Sequence, residues 1–148
     1  MTDTLEFTLD KFTFRVPTDR YYSDEGLWAR AEDSQVRIGL SDFVQQRSGD
    51  VAFADVEPEG TSLAFGDEVA VIETIKVDIY FSSPVTGEVT RVNPAMETEP
   101  EIINQDPYGD GWLAVIEAED WASDREQLLA PEAYFEEMKR EAEEEVSS

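Results

Sequence analysis

The sequence predicts a mainly β protein, a sandwich or barrel of short strands with a few short helices. Three observations carry that prediction. Apolar stretches of four to six residues recur between turn signals from Asp50 to Ile116, a spacing typical of small all-β folds. Partial alternation of apolar and polar residues already marks the first twenty positions. Helical spacing of apolar residues is confined to a short stretch after Ser41 and to the segment beyond Asp124. At 148 residues the chain has length for one domain with a core of its own.

The elements follow in order. Leu5, Phe7 and Leu9, then Phe12, Phe14 and Val16, indicate extended chain closed by Pro17. Trp28 to Leu40 reads as a hairpin turning at Glu32-Asp33-Ser34. Ser41 to Gly49 reads as a short helix, with the Ser41 hydroxyl as N-cap and Gly49 just past the end. Strands are then expected at Val51–Val56, Val69–Ile72, Val77–Phe81, Val89–Val92 and Trp112–Ile116, with turns at Pro58-Glu59-Gly60 and Pro84–Gly87. Asp124 is placed at the start of a helix ending near Leu129, and Pro131 at the first position of a second one. Phe135, Met138 and Ala142 form an apolar stripe on that acidic helix, suited to packing on the sheet. The last stretch, Glu143–Ser148, is expected to fray.

Composition narrows the function. Eleven basic against 35 acidic side chains give a net charge of −24, which disfavours nucleic acid and anionic membrane surfaces alike, because both need clustered cations. Residues 131–148 hold seven glutamates against Lys139 and Arg140, so most of the excess acid lies elsewhere on the surface. Solubility accounts for it, and so does a salty cell, the favoured reading, where self-repulsion is screened. With no cysteine and no histidine, the chain lacks a thiolate nucleophile, the usual zinc ligand and the usual proton shuttle. Its start shows no signal-peptide pattern, and no apolar run reaches membrane-spanning length, so a soluble cytoplasmic protein is expected.

The lysines are Lys11, Lys76 and Lys139. Lys76 lies between two β-like stretches in Val71-Ile-Glu-Thr-Ile-Lys-Val-Asp-Ile-Tyr80. A lone lysine there would be read as a solubilising surface charge. However, Gly66-Asp-Glu-Val-Ala-Val-Ile-Glu-Thr-Ile-Lys76, Ser83-Pro-Val-Thr-Gly-Glu-Val89 and Asn104-Gln-Asp-Pro-Tyr-Gly-Asp-Gly-Trp-Leu113 together resemble the H-protein family, the lipoyl carriers of the glycine cleavage system. The resemblance runs from Tyr22…Trp28 and Ile38-Gly-Leu-Ser-Asp42 to Leu128-Leu-Ala-Pro-Glu-Ala-Tyr134, roughly Tyr22 to Met138. It divides the chain into an extension at 1–19, a lipoyl domain at 20–123 and a helical, acid-tailed segment at 124–148.

The resemblance implies a flattened barrel of two small sheets, the lipoyl/biotinyl hammerhead, with Lys76 at a hairpin tip. It implies lipoic acid in amide linkage to Lys76, attached by a lipoate-protein ligase. A chain without Cys or His would then import its reactive group, and would be a carrier rather than an enzyme. Glu73 and Asp78 flank Lys76 and are either ligase-reading contacts or solvated strand charges. Gly66 and Gly87 are assigned to tight turns.

The family's cleft for the loaded arm is less well matched. Aligned through Tyr22 and Trp28, the family's Ser falls on Glu25 and its His-Glu pair on Gly26-Leu27. Its helix His falls on Arg47 and its Asp on Tyr80. An aminomethyl cation needs carboxylates when held away from water, whereas Leu27 and Tyr80 remove two and Arg47 adds a positive charge. That pattern resembles H-protein-like lipoate-binding proteins, which work with a heterodisulfide-reductase-like complex in sulfur oxidation. The leading expectation is therefore a sulfur-carrying lipoyl protein whose arm rests among Glu25, Leu27, Arg47 and Tyr80. An H protein of the glycine cleavage system is the alternative, served by the glycine cleavage enzymes and a dihydrolipoamide dehydrogenase. A scaffold of the same fold without lipoate is the third reading.

Overall fold

The computed structural model describes residues 3–147, with side chains as far as Glu145. It opens with an antiparallel hairpin, β1 (Thr4–Leu9) and β2 (Phe12–Pro17), in which Leu9 faces Phe12 across the turn at Asp10-Lys11. Asp10 adopts φ 57° there, a left-handed conformation that Asp tolerates better than most residues. The strands β3 (Tyr21–Tyr22), β4 (Leu27–Glu32) and β5 (Gln35–Leu40) follow, the last two forming the expected hairpin with Asp33 at φ 60°. Helix α1 (Asp42–Ser48) begins and ends as expected. The Ser41 hydroxyl accepts the Val44 amide at 3.3 Å, and Gly49 takes φ 87° after the last turn.

Beyond α1 run β6 (Val51–Val56), β7 (Ser62–Leu63), β8 (Glu68–Thr74), β9 (Asp78–Ser82) and β10 (Gly87–Val92). Then come the one-turn helices α2 (Ala95–Thr98) and α3 (Ile102–Gln105), β11 (Ala114–Ala118), α4 (Trp121–Arg125) and α5 (Pro131–Ser147). Among the described residues the strands form three sheets: the β1-β2 hairpin, a six-stranded sheet ordered β3-β4-β5-β11-β10-β7, and a three-stranded sheet ordered β6-β8-β9. All pairings are antiparallel. The main core draws Leu27, Ile38, Leu40 and Ile116 from the large sheet and Ile72 and Phe81 from the small one. It is the interior of a flattened two-sheet body, so the predicted mainly β class holds.

A second apolar cluster lies under the opening hairpin and α5, where Phe14, Val16, Tyr22, Trp28, Phe43, Tyr134 and Met138 pack together. Tyr22 and Tyr134 stack at 4.5 Å with 5° between their planes. The stripe expected on α5 is buried there at Met138 and Ala142.

Four sequence expectations need correction. Asp124 does not open a helix: α4 starts at Trp121, because the Asp120 carboxylate caps the Ser123 amide, while the buried Asp124 accepts the Thr86 amide at 2.8 Å. The segment from Glu143 to Ser147 does not fray; α5 continues through it, with Arg47 of α1 reaching Glu141 and Glu145, while Ser148 lies outside the described residues. Gly87 opens a strand rather than a turn, since a Cβ there would stand 2.0 Å from the Glu117 carbonyl oxygen. The strand expected from Trp112 starts at Ala114, after Trp112 has closed a loop onto Gly109.

Candidate functional site

The β8–β9 hairpin carries Lys76 at its tip. Thr74 builds the turn: its amide donates to the Val77 carbonyl at 2.8 Å and its hydroxyl donates to that same oxygen at 2.9 Å. The hydroxyl oxygen in turn accepts the amides of Lys76 and Val77, at 3.2 and 3.0 Å. One Thr side chain therefore satisfies the turn that a Gly-Asn pair would otherwise make, which is why no ordinary turn residue stands beside Lys76. Lys76 is exposed, and so are its neighbours Ile75 and Val77. Burying neither apolar neighbour leaves a tip that is sticky as well as accessible.

The tip leans on the end of α1. The Ile75 amide donates to the Asp50 carbonyl at 3.2 Å. The Lys76 stem lies over Gly49, so that a Cβ at that position would stand 3.5 Å from Lys76 Cε. Asn104 holds this corner from beneath, accepting the Val51 amide at 2.9 Å and donating to the Gly49 carbonyl and to Gln45, both at 3.0 Å. Beside the stem a cavity of about 230 Å³ opens between the β1-β2 hairpin, α1 and α5. Its walls include Leu9, Phe12, Phe14 and Phe43, with Arg47, Glu145 and Lys76 at its polar edge.

The residues singled out in the sequence are brought together only in part. Lys76 and Arg47 share the cavity. Arg47 pairs with Glu141 at 3.4 Å and Glu145 at 3.8 Å and stands 4.9 Å from the Phe43 ring, so two carboxylates offset its charge. Glu25 sits elsewhere, accepting the Ser82 amide at 2.7 Å and the Ser82 hydroxyl at 3.3 Å, alongside β9. Tyr80, two residues before Ser82, is 61% exposed on the outward face of β9. Glu73 and Asp78 face each other across the β8–β9 ladder and are both exposed. Leu27 is wholly buried in the main core and lines no surface. Both faces of its strand are packed at this end, with Leu27 and Ala29 in the main core and Trp28 in the second cluster, so no side chain there reaches a cleft. Leu9, Phe12 and Phe14 went unnoticed as site residues because the resemblance begins beyond them.

A small two-sheet body that presents an exposed lysine on a hairpin tip has the build of a carrier. Residues 20–141 match the family model of the glycine cleavage H-protein. The chain is 41% identical over 122 residues to the glycine cleavage system H protein of Salinibacter ruber, covering 81% of this chain and 96% of that one. It is 40% identical over 124 residues to a probable glycine cleavage system H protein of Haloarcula marismortui, covering 82% and 95%. A crystal structure of a glycine cleavage system H protein from Mycobacterium marinum superimposes with a TM-score of 0.74 at 26% identity, over 80% of this chain and 95% of that one. The chain belongs to the glycine cleavage H-protein family. Members of that family are not enzymes but carriers of a lipoyl group bound covalently to a lysine.

Proposed function

We propose that Lys76 is the lipoylated residue, acylated by a lipoate-protein ligase, and that the chain serves as the H protein of the glycine cleavage system in the cytoplasm. The observation that carries the assignment is the exposed, Thr74-braced hairpin tip. Lys11 lies outside the family segment and Lys139 is paired with Glu136 at 3.2 Å on α5. The surroundings of Lys76 fit the group: an apolar, aromatic-walled cavity adjoins the stem, and amide formation removes the charge that would oppose entry into it. Once attached, a lipoyl group supplies a redox-active disulfide that takes up and releases a one-carbon amine. Lys76 provides the tether, Thr74 fixes the direction in which it leaves the hairpin, and Glu73 and Asp78 offer carboxylates on either side for a ligase to read. The glycine cleavage enzymes would be the partners, with a dihydrolipoamide dehydrogenase restoring the disulfide.

The relatives' names favour this reading over sulfur transport with a heterodisulfide-reductase-like complex. Two structural points weaken the case for sulfur as well. Leu27 is core rather than cleft, and the Arg47 charge is met by Glu141 and Glu145. Lipoylating the purified chain, mapping the modified peptide, and following carbon dioxide release with glycine decarboxylase and glycine is the test. Modification at Lys76 with turnover near that of an ordinary H protein is expected. Modification without turnover would overturn the glycine cleavage reading and make reduced sulfur the next cargo to try. A chain never modified at Lys76 would overturn both.

A further inference from the structure

The cavity beside Lys76 has one wall that does not come from the family segment. That segment starts at residue 20, whereas Leu9, Phe12 and Phe14 belong to the β1-β2 hairpin. The hairpin is fixed to the body along its second strand. Asp42 Oδ2 accepts the Arg15 amide at 3.0 Å, and the Tyr108 hydroxyl donates to the Arg15 carbonyl at 2.6 Å. Gln46 donates to the Thr13 carbonyl at 2.9 Å, and the Tyr22 hydroxyl donates to the Pro17 carbonyl at 2.7 Å. Backbone groups of an edge strand are thereby paired by side chains of the body, so the wall is held in place. Its aromatic rings continue into α1, with Phe14 edge-on to Phe43 at 5.3 Å and Phe12 stacked on Phe14 at 6.4 Å.

We propose that this hairpin is a built-in shelter for the lipoyl ring. In the resting carrier the lipoyl head on Lys76, as dithiolane or as reduced dithiol, lies against Phe12, Phe14 and Phe43, and the hairpin shields its sulfurs from solvent. The proposal rests on Lys76 being the attachment site and adds residues that the family segment lacks. Three features support it. The tether itself lines the edge of the cavity, so occupancy is intramolecular and needs little intrinsic affinity. At about 230 Å³ it is smaller than the roughly 300–1,000 Å³ of drug-sized ligand sites, a size for a small ring on a chain. Polarizable sulfur packs favourably on aromatic rings. Phe12 is 49% exposed without a covering ligand, leaving apolar ring surface that an occupant would cover. Before modification the Lys76 ammonium is kept at the edge by the cost of burying a charge, so shelter begins only with acylation.

The test uses the full chain lipoylated at Lys76, as verified by peptide mass, then reduced and treated with a maleimide. An arm sheltered nine-tenths of the time reacts about tenfold more slowly than free dihydrolipoamide. Phe12→Ser, at a half-exposed position, should return most of that rate while leaving the circular dichroism spectrum unchanged. Contacts between lipoyl methylene protons and the Phe12 or Phe14 rings in NMR spectra of the unsubstituted protein are expected too, and need no variant. Thiols that react as fast as free dihydrolipoamide, with no such contacts, would overturn the shelter while leaving the Lys76 assignment standing. Failure to lipoylate Lys76 at all would overturn both.

Discussion

At Thr74 one hydroxyl accepts two amides and donates to a carbonyl within a single turn. Thr74→Val keeps the shape and deletes all three interactions. Because the site is exposed, the cost to stability should be about 1 kcal/mol, typical of a lost hydrogen-bonding group with water at hand. The larger effect should fall on lipoylation, several-fold slower under limiting ligase, since Lys76 no longer leaves the hairpin in one direction. A ligase rate unchanged within error would show that Thr74 does not orient the lysine. Gly39 offers a contrast. A Cβ there would meet the fully buried Trp28 ring at 2.5 Å, and Gly39→Ala should cost about 2–3 kcal/mol in a urea melt, at the upper end for overpacking. The place of Lys76 at a hairpin tip was legible in the sequence because the motifs flanking it stand in a fixed order. The core position of Leu27 was not, because both faces of β4 are buried at this end and the alternation that marks an outward side is missing.

At the scale of elements, capping chemistry was the most readable feature. Ser41 and Gly49 delimit α1 where expected because side-chain cap and left-handed glycine are both local signals. The failures are equally physical. The strands Tyr21–Tyr22 and Ser62–Leu63 are too short to show a period, and α2 and α3 have no side-chain cap hydrogen bond to announce them. Asp120 and Asp124 stand one helical turn apart, so each is a plausible cap, and only the tertiary bond from Thr86 decides between them. The α1 cap is also tied to α5: Ser41 Oγ and the Tyr134 hydroxyl lie 2.6 Å apart in a buried setting. Tyr134→Phe leaves Ser41 with its cap alone and should cost about 1–1.5 kcal/mol, read as a lower midpoint in urea with an unchanged slope. A loss beyond about 3 kcal/mol would mean that more than this hydrogen bond was disturbed.

For the whole molecule, two dependences on solution conditions follow. Burial raises the phenols of Tyr22, Tyr108 and Tyr134 above their ordinary value, that of Tyr134 to about 12. The unfolded chain releases these protons near pH 10. Above that pH the unfolded state holds fewer protons than the native one, so stability is full below pH 10 and declines as pH climbs towards 12. The limiting slope is about 1.4 kcal/mol per pH unit for each phenol still protonated in the fold. Thermal melts from pH 7 to 11.5 should show a plateau and then a fall, and Tyr134→Phe should make that fall shallower. A net charge of −24 should also steer partners that present basic surfaces, with association rates dropping as salt shortens the screening length. Rates independent of ionic strength would show that the acidic face plays no part in docking.

The wall of the cavity beside Lys76 comes from both ends of the described chain, β1-β2 at one end and α5 at the other. A domain of this size folds as a unit, so the cavity is complete only when both of those ends are in place. The two ends of the described chain guard one site, and cutting back either of them opens the same cavity.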